Sequence, residues 1–269
     1  MLDRGRKPHA KSLTILILFL TFLYGELTWT GDAHAGRFQR HTPKGVSIDD
    51  QRRPMLEPVP PWTAVGRVNR RSGGYCSGTL ITPTRVLTAA HCVWNKHSKQ
   101  WVSPGDLQFL AGYSNGKYLA KSRVREIYRP PNLSMNWHGK VADRGKDWAI
   151  LMLASDIIGV PNLQPIPLVR VSELPLLKKD EEILQAGYSS DNAQVLTIVD
   201  PCKLLANRRS KGGGTLLLHD CDMTFGDSGS PLMMHINGGL RVVGINVAGF
   251  EHKGEQIGIA VRLPVALLQ

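Results

Sequence analysis

Gly226-Asp227-Ser228-Gly229-Ser230-Pro231 is the stretch from which the rest of the chain can be read. A serine set between small residues and preceded by Gly-Asp suits a nucleophile whose own backbone must bind a developing negative charge. The Ser228 hydroxyl would attack a carbonyl carbon, and the amide N–H groups of Ser228 and Gly226 would converge on the resulting oxyanion. Glycine at 226 permits a backbone conformation that a side chain would forbid. A lone stretch of this kind is weak evidence, because small residues also fill ordinary turns. The reading therefore needs a base to take the Ser228 proton and a carboxylate to orient that base.

Both are present upstream. Thr88-Ala89-Ala90-His91-Cys92 follows the apolar runs Thr79-Leu80-Ile81 and Val86-Leu87, and it places a histidine at the end of an expected strand. Asp147-Trp148-Ala149-Ile150-Leu151 places a carboxylate at the mouth of another. Asp143 lies in a polar, basic loop and Asp156 follows its apolar run instead of opening it, so Asp147 is the better orienting group. His97, His138, His219, His235 and His252 lack such a context and are read as surface or hydrogen-bonded core residues.

Apolar or alternating runs recur through the second two-thirds of the chain. They span Gly78–Ile81, Arg85–Thr88, Leu107–Ala111, Tyr118–Tyr128, Trp148–Leu153, Glu182–Ala186, Val195–Val199, Thr215–His219, Pro231–Ile236, Arg241–Val247 and Gln256–Val261. Turn signals such as Asn115-Gly116 and Asn237-Gly238-Gly239 separate them. Short strands at this spacing favour an all-β barrel or sandwich, with only a short terminal turn expected near Val265.

Taken together, Cys76-Ser77-Gly78-Thr79-Leu80-Ile81, Leu87-Thr88-Ala89-Ala90-His91-Cys92, Asp147-Trp148-Ala149-Ile150-Leu151 and the Ser228 stretch resemble the trypsin-like serine peptidase family. The order His, Asp, Ser is that of chymotrypsin and differs from the subtilisin and α/β-hydrolase orders. The resemblance runs from about Trp62 to the C-terminus. Gly-Ser-Pro after the nucleophile is similar to the bacterial branch that includes the glutamyl endopeptidases. The resemblance implies two six-stranded antiparallel β-barrels, the first over about 62–160 and the second over about 161–269, with the active site in the cleft between them. It implies catalytic roles for His91, Asp147 and Ser228, an oxyanion hole from Gly226 and Ser228, and protein or peptide substrates. It also implies a disulfide between Cys76 and Cys92 beside the histidine, which leaves Cys202 and Cys221 to tie the second half together. A catalytically silent binding protein of the same fold is the runner-up, although such proteins usually lose a triad residue and none is lost here.

Specificity is less legible. Asp222 lies six residues before Ser228, where enzymes of this family that cut after Arg or Lys place a pocket-floor aspartate. Its surroundings, Cys-Asp-Met-Thr-Phe-Gly, depart from that pattern, and loop hydrogen bonds are the competing role. Asn246 stands where the glutamyl branch places a pocket histidine. Asp227 is the carboxylate that, in the animal enzymes, receives a freshly cut N-terminus, yet no Ile-Val-Gly-Gly start occurs near Trp62.

The N-terminus reads as an export signal over residues 1–35. Arg4, Arg6, Lys7 and Lys11 precede an apolar run from Leu13 to Tyr24, and Ala33-His34-Ala35 offers a cleavage site. The run is short for a bilayer span, which needs about 20 residues. A soluble, exported, periplasmic or extracellular monomer is expected, with retention as a signal-anchored envelope factor as the alternative. Residues 36–61, rich in Arg, Pro and polar groups, read as a pro-segment or flexible arm, so a zymogen is expected. Four cysteines suit an oxidising compartment. No C-x-x-C or H-x-x-x-H spacing occurs, so neither metal nor cofactor is expected. The chain carries 33 Lys and Arg against 22 Asp and Glu, a formal charge of +11. The basic residues are scattered in pairs such as Arg70-Arg71, Lys178-Lys179 and Arg208-Arg209, without the block or aromatic-interleaved stripe that nucleic-acid binding favours.

Overall fold

Strand follows strand from residue 53 onward because short β-branched and leucine-rich runs are punctuated by turn residues. The computed structural model describes residues 42–136, 138–157 and 159–268; the expected leader lies outside the described residues. In chain order the strands are β1 (Arg53–Met55), β2 (Val65–Arg70), β3 (Tyr75–Thr82), β4 (Arg85–Thr88), β5 (Trp94–Asn95) and β6 (Gln100–Trp101). Next come β7 (Leu107–Ala111), β8 (Ala120–Tyr128) and β9 (Ala149–Leu153). The second half contributes β10 (Glu182–Gly187), β11 (Leu196–Arg209), β12 (Thr215–His219), β13 (Pro231–Ile236), β14 (Gly239–His252) and β15 (Glu255–Arg262). Among the described residues, short 3₁₀ turns, including Ala90–Val93 and Arg144–Lys146, make up the helical content.

Strands β2, β3, β4, β9, β8 and β7 close into one antiparallel barrel. Strands β11, β10, β13, β14, β15 and β12 close into a second, because β12 pairs with both β15 and β11. The expected pair of six-stranded barrels is thus present. Closure needs curvature, and the 14-residue strands β11 and β14 supply it. Register shifts at Leu204/Ala206 and Asn246/Ala248 bend them. Strand β8 alternates as its sequence predicts, with Ala120, Ser122 and Val124 buried and Lys121, Arg123 and Arg125 exposed. One buried apolar cluster includes Phe109 and Leu151 of the first barrel together with Tyr188 and Ile245 of the second. Burial of such side chains, at about 25 cal/mol per Å², is the main force joining the halves.

Strand β2 has no counterpart among the runs read from sequence, since Val-Gly-Arg-Val-Asn-Arg holds only two apolar side chains of any size. Tertiary contacts rescue it. The Arg67 guanidinium lies 4.0 Å over the Tyr75 ring and donates to the Ala193 carbonyl at 3.0 Å.

The segment read as a pro-segment or flexible arm is docked on the second barrel where it is described, from residue 42. Strand β1 pairs antiparallel with β11, Arg53 opposite Ile198 and Met55 opposite Leu196. Just before it, the Arg52 side chain is 2 % exposed and binds both Asp50 (2.9 Å) and Asp191 (2.7 Å). Burial opposes the Arg52 charge, and the hydrogen bonds it donates to Asp191 and Asp50 more than restore it. A polar, Pro-rich composition concealed a segment that docks through ions and backbone rather than through apolar periodicity.

Candidate active site

Strand register brings the histidine and the aspartate together. β4 and β9 run antiparallel with Thr88 opposite Ala149, so the chain leaving β4 and the chain entering β9 emerge at one end of the barrel. His91 sits three residues after Thr88 and Asp147 two before Ala149. Asp147, 4 % exposed, is gripped twice by the same residue: its Oδ1 accepts the His91 backbone N–H at 2.9 Å, and its Oδ2 lies 2.8 Å from His91 Nδ1. A carboxylate only accepts, so Nδ1 carries the hydrogen and Nε2 is left as the acceptor.

Ser228 lies on the loop between β12 and β13, and the first barrel holds that loop. The Ser77 N–H donates to the Ser228 carbonyl at 2.9 Å, and the Ser77 hydroxyl to the Gly226 carbonyl at 2.9 Å. From the second barrel, the Gly229 N–H donates to the Asn246 carbonyl at 2.7 Å. Gly226 has φ +94°, and a Cβ there would fall 2.3 Å from the Tyr188 carbonyl oxygen. Only glycine fits. With both carbonyls turned into the protein, neither the Gly226 N–H nor the Ser228 N–H donates to any described residue. Ser228, Gly226, His91 and Asp147 all line one cleft of about 720 Å³.

Asp227 points the other way and is wholly buried. Its Oδ2 accepts from the Thr224 N–H (2.8 Å) and the Ser189 hydroxyl (2.7 Å), while Oδ1 has no hydrogen-bond partner among the described residues. Burial pushes its carboxyl up to about 7, and those two donors only partly oppose the shift.

Two residues read as pocket candidates are placed elsewhere. Asp222 is buried and absent from the cleft lining; its oxygens accept from the Ser47 N–H (2.6 Å), the Ser47 hydroxyl (2.8 Å) and the Gln51 N–H (2.8 Å). The docked arm takes the carboxylate that a basic substrate side chain would need, so the loop role prevails over the pocket floor. Asn246 is likewise buried behind the cleft wall. Its Nδ2 donates to Ser230 Oγ at 3.0 Å and its Oδ1 lies 2.7 Å from His219 Nε2. The neighbours Val247, Ala248 and Gly249 form the wall instead. Burial holds the His219 imidazole down to about 4; it is a core histidine bonded through Nε2, while its Nδ1 has no hydrogen-bond partner among the described residues.

The sequence reading did not single out Ser77 as a support for the Ser228 loop, or Lys44 and Gly45 as part of the cleft. The Ser77 signal was available, within Cys-Ser-Gly-Thr, but its function depends on a contact 149 residues away. Disulfides join Cys76 to Cys92 and Cys202 to Cys221. The first sets two sulfurs beside His91, and their bond to each other removes the thiolates a metal would require.

Two closed antiparallel barrels with a cleft between them define the chymotrypsin-type two-barrel class. The family model described as Trypsin matches residues 53–268, and the chain belongs to that family. Among curated proteins it is similar to the CLIP domain-containing serine protease B15 of Anopheles gambiae, 28 % identical over 229 residues. That match covers 73 % of this chain and about 60 % of the length of the mosquito protein. Among solved structures it is similar to a Glu endopeptidase in complex with MPD, with TM-score 0.64 and 21 % identity over 83 % of this chain and 96 % of the other. This second likeness speaks for the fold.

Proposed function

We propose that this chain is an exported serine endopeptidase that cleaves peptide bonds through an acyl-enzyme on Ser228. The observation that carries the reading is the 2.8 Å pair of His91 Nδ1 and Asp147 Oδ2 at the edge of the cleft that Ser228 lines. His91 Nε2 takes the Ser228 proton as Oγ attacks the scissile carbonyl. The tetrahedral oxyanion is met by the N–H groups of Gly226 and Ser228. His91 then gives the proton to the leaving amine, and the acyl-enzyme remains. Water repeats the sequence in the second half-reaction: His91 takes its proton, and Ser228 is released with the carboxylate product. Asp147 holds the imidazole in one tautomer and stabilises its cation throughout. Export is supported by the two disulfides and by the leader-like N-terminus.

The test is intact-mass spectrometry of purified protein before and after a fluorophosphonate probe, with Ser228→Ala beside it. One adduct on the native chain and none on the variant is expected. Activity toward protein substrates should fall by several orders of magnitude in Ser228→Ala. A native chain that takes no adduct, or a variant that retains full peptidase activity, overturns the reading in favour of a silent binding protein. The same spectrum reports whether the leader has been removed.

A further inference from the structure

The cleft lined by Ser228 and His91 carries a charge imbalance far steeper than that of the chain. Among the described residues, Lys44, Arg70, Lys96, Lys140 and Arg144 line it, and the one lining carboxylate, Asp147, is committed to His91. Over the whole sequence basic residues exceed acidic ones by 33 to 22; in the cleft the ratio is five to one. Among the described residues none of the five is engaged in an ion pair. Four of them, all but the half-buried Arg70, are exposed.

They also arrive from separate segments and from both walls. Lys44 belongs to the docked arm, where the Gly45 carbonyl accepts the Met223 N–H at 3.0 Å on the second-barrel side. Arg70 ends β2, Lys96 follows β5, and Lys140 and Arg144 lie on the loop that leads into β9. Convergence of four segments on one cleft places like charges near one another without compensation. An anionic ligand relieves that repulsion, and low-dielectric walls focus the field on whatever enters. Phe225 (77 % exposed) and Phe250 (41 % exposed) line the same cleft and offer apolar contact beside the charges. Basic groups interleaved with aromatics also suit single-stranded nucleic acid. These, however, surround Ser228 and His91 instead of forming a track across the surface, and that favours a ligand that is also the substrate.

We infer that the substrate is an acidic polypeptide, bearing Asp or Glu side chains on either side of the two residues joined by the scissile bond. Lys44, Lys96, Lys140 and Arg144 recognise those carboxylates. The inference rests on the proposed catalytic reading of Ser228.

The experiment uses internally quenched peptides that share one cleaved dipeptide and carry acidic, neutral or basic flanks. Turnover is measured from ~10 mM to ~1 M salt, where the screening length falls from about 30 Å to about 3 Å. At low salt the acidic peptide is expected to exceed the neutral one in kcat/KM by about 10-fold or more, with the advantage collapsing at high salt. The double variant Lys96→Glu, Lys140→Glu should lower that advantage by roughly 5-fold. Equal, salt-independent kcat/KM for the three peptides overturns the inference. So does tight binding of a DNA oligonucleotide without any preference for acidic flanks, which assigns the cations to nucleic acid. Fluorophosphonate labelling of the same native preparation separates the two levels. A labelled enzyme without acidic preference sinks this inference alone, whereas an unlabelled one sinks the catalytic reading and this inference with it.

Discussion

The buried carboxylate of Asp222 is held by Ser47, a residue 175 positions upstream, which donates both its backbone N–H and its hydroxyl. Asp222 lies on the loop that leads to Ser228, so the arm and the Ser228 loop share one support. Met223, the next residue, donates back to the Gly45 carbonyl, and Thr224 donates to the buried Asp227. A segment of unremarkable composition thereby sets the conformation of the loop that forms the proposed oxyanion hole.

Loss of the Ser47 hydroxyl should therefore lower stability by about 1.5–3 kcal/mol, the usual contribution of a hydrogen bond to a carboxylate. Asp222→Ala should cost more, because it leaves the Ser47 and Gln51 N–H groups without their acceptor. Denaturant unfolding of both variants checks the order. Active enzyme is expected to retain Ser47, and a fluorophosphonate-labelled species whose mass begins at Trp62 would contradict this role for the arm.

Asp147→Asn offers a sharper test of the imidazole's orientation. An amide facing His91 Nδ1 no longer imposes the tautomer that leaves Nε2 free to accept. Turnover should fall by about 10⁴-fold with little change in melting temperature. A fall of less than tenfold would remove Asp147 from the proposed mechanism.

Gly229 packs against the first barrel immediately behind Ser228. It has φ +81°, and a Cβ there would lie 2.2 Å from Thr88 Oγ1 and 2.4 Å from the Ser77 carbonyl oxygen. Gly229→Ala combines an unfavourable backbone region with overpacking, and it should destabilise by about 3 kcal/mol or more. Activity should be lost along with stability. A soluble, fully active Gly229→Ala variant would show that the loop shifts more readily than this packing allows.

Two buried groups give stability opposing dependences on pH. Asp227 is raised to about 7, so the folded state holds its proton more tightly than the unfolded chain. Its contribution is complete below about pH 4 and is lost as pH rises toward 7. His219 is lowered to about 4, so its contribution is present above about pH 6.5 and is lost as pH falls toward 4. Over their shared range the two slopes oppose each other. Asp227→Asn should therefore leave stability rising between pH 4 and 6.5 by roughly 3 kcal/mol, because each tenfold change in proton affinity corresponds to about 1.4 kcal/mol. His219→Gln should leave it falling. Urea melts across that range measure both, and parallel profiles for the two variants would refute the assignment.

The elements legible in the sequence were those whose own residues carry the pattern. Arg85–Thr88, Leu107–Ala111, Thr215–His219 and Pro231–Ile236 were read to the residue, because each is a short apolar or alternating run bounded by turn residues. Strand β2 was missed because Arg67 is accommodated by two rings outside the strand, Tyr75 of β3 and Tyr113 beyond β7. β1 was missed because it is a three-residue edge strand paired with β11, 141 to 145 residues away. The long strands β11 and β14 were read only in part, since beyond Val199 and Val247 the residues Asp200, Pro201, Lys203, Gly249 and Glu251 interrupt the apolar pattern and pairing carries the strands on.

His91, Asp147 and Ser228 could be nominated as a group from sequence because nucleophilic chemistry restricts residue type and because their order and flanking motifs resemble one family. The two-barrel class followed from the same motifs and from the strand rhythm. Tertiary structure alone decided where the neighbouring polar side chains point. Asp222 faces Ser47 and Gln51, Asn246 faces His219 and Ser230, and five cations from four segments face the cleft. Nothing local specifies such directions. They follow from barrel closure, which sets the register of β4 against β9 and seats a distant arm against the loop before Ser228.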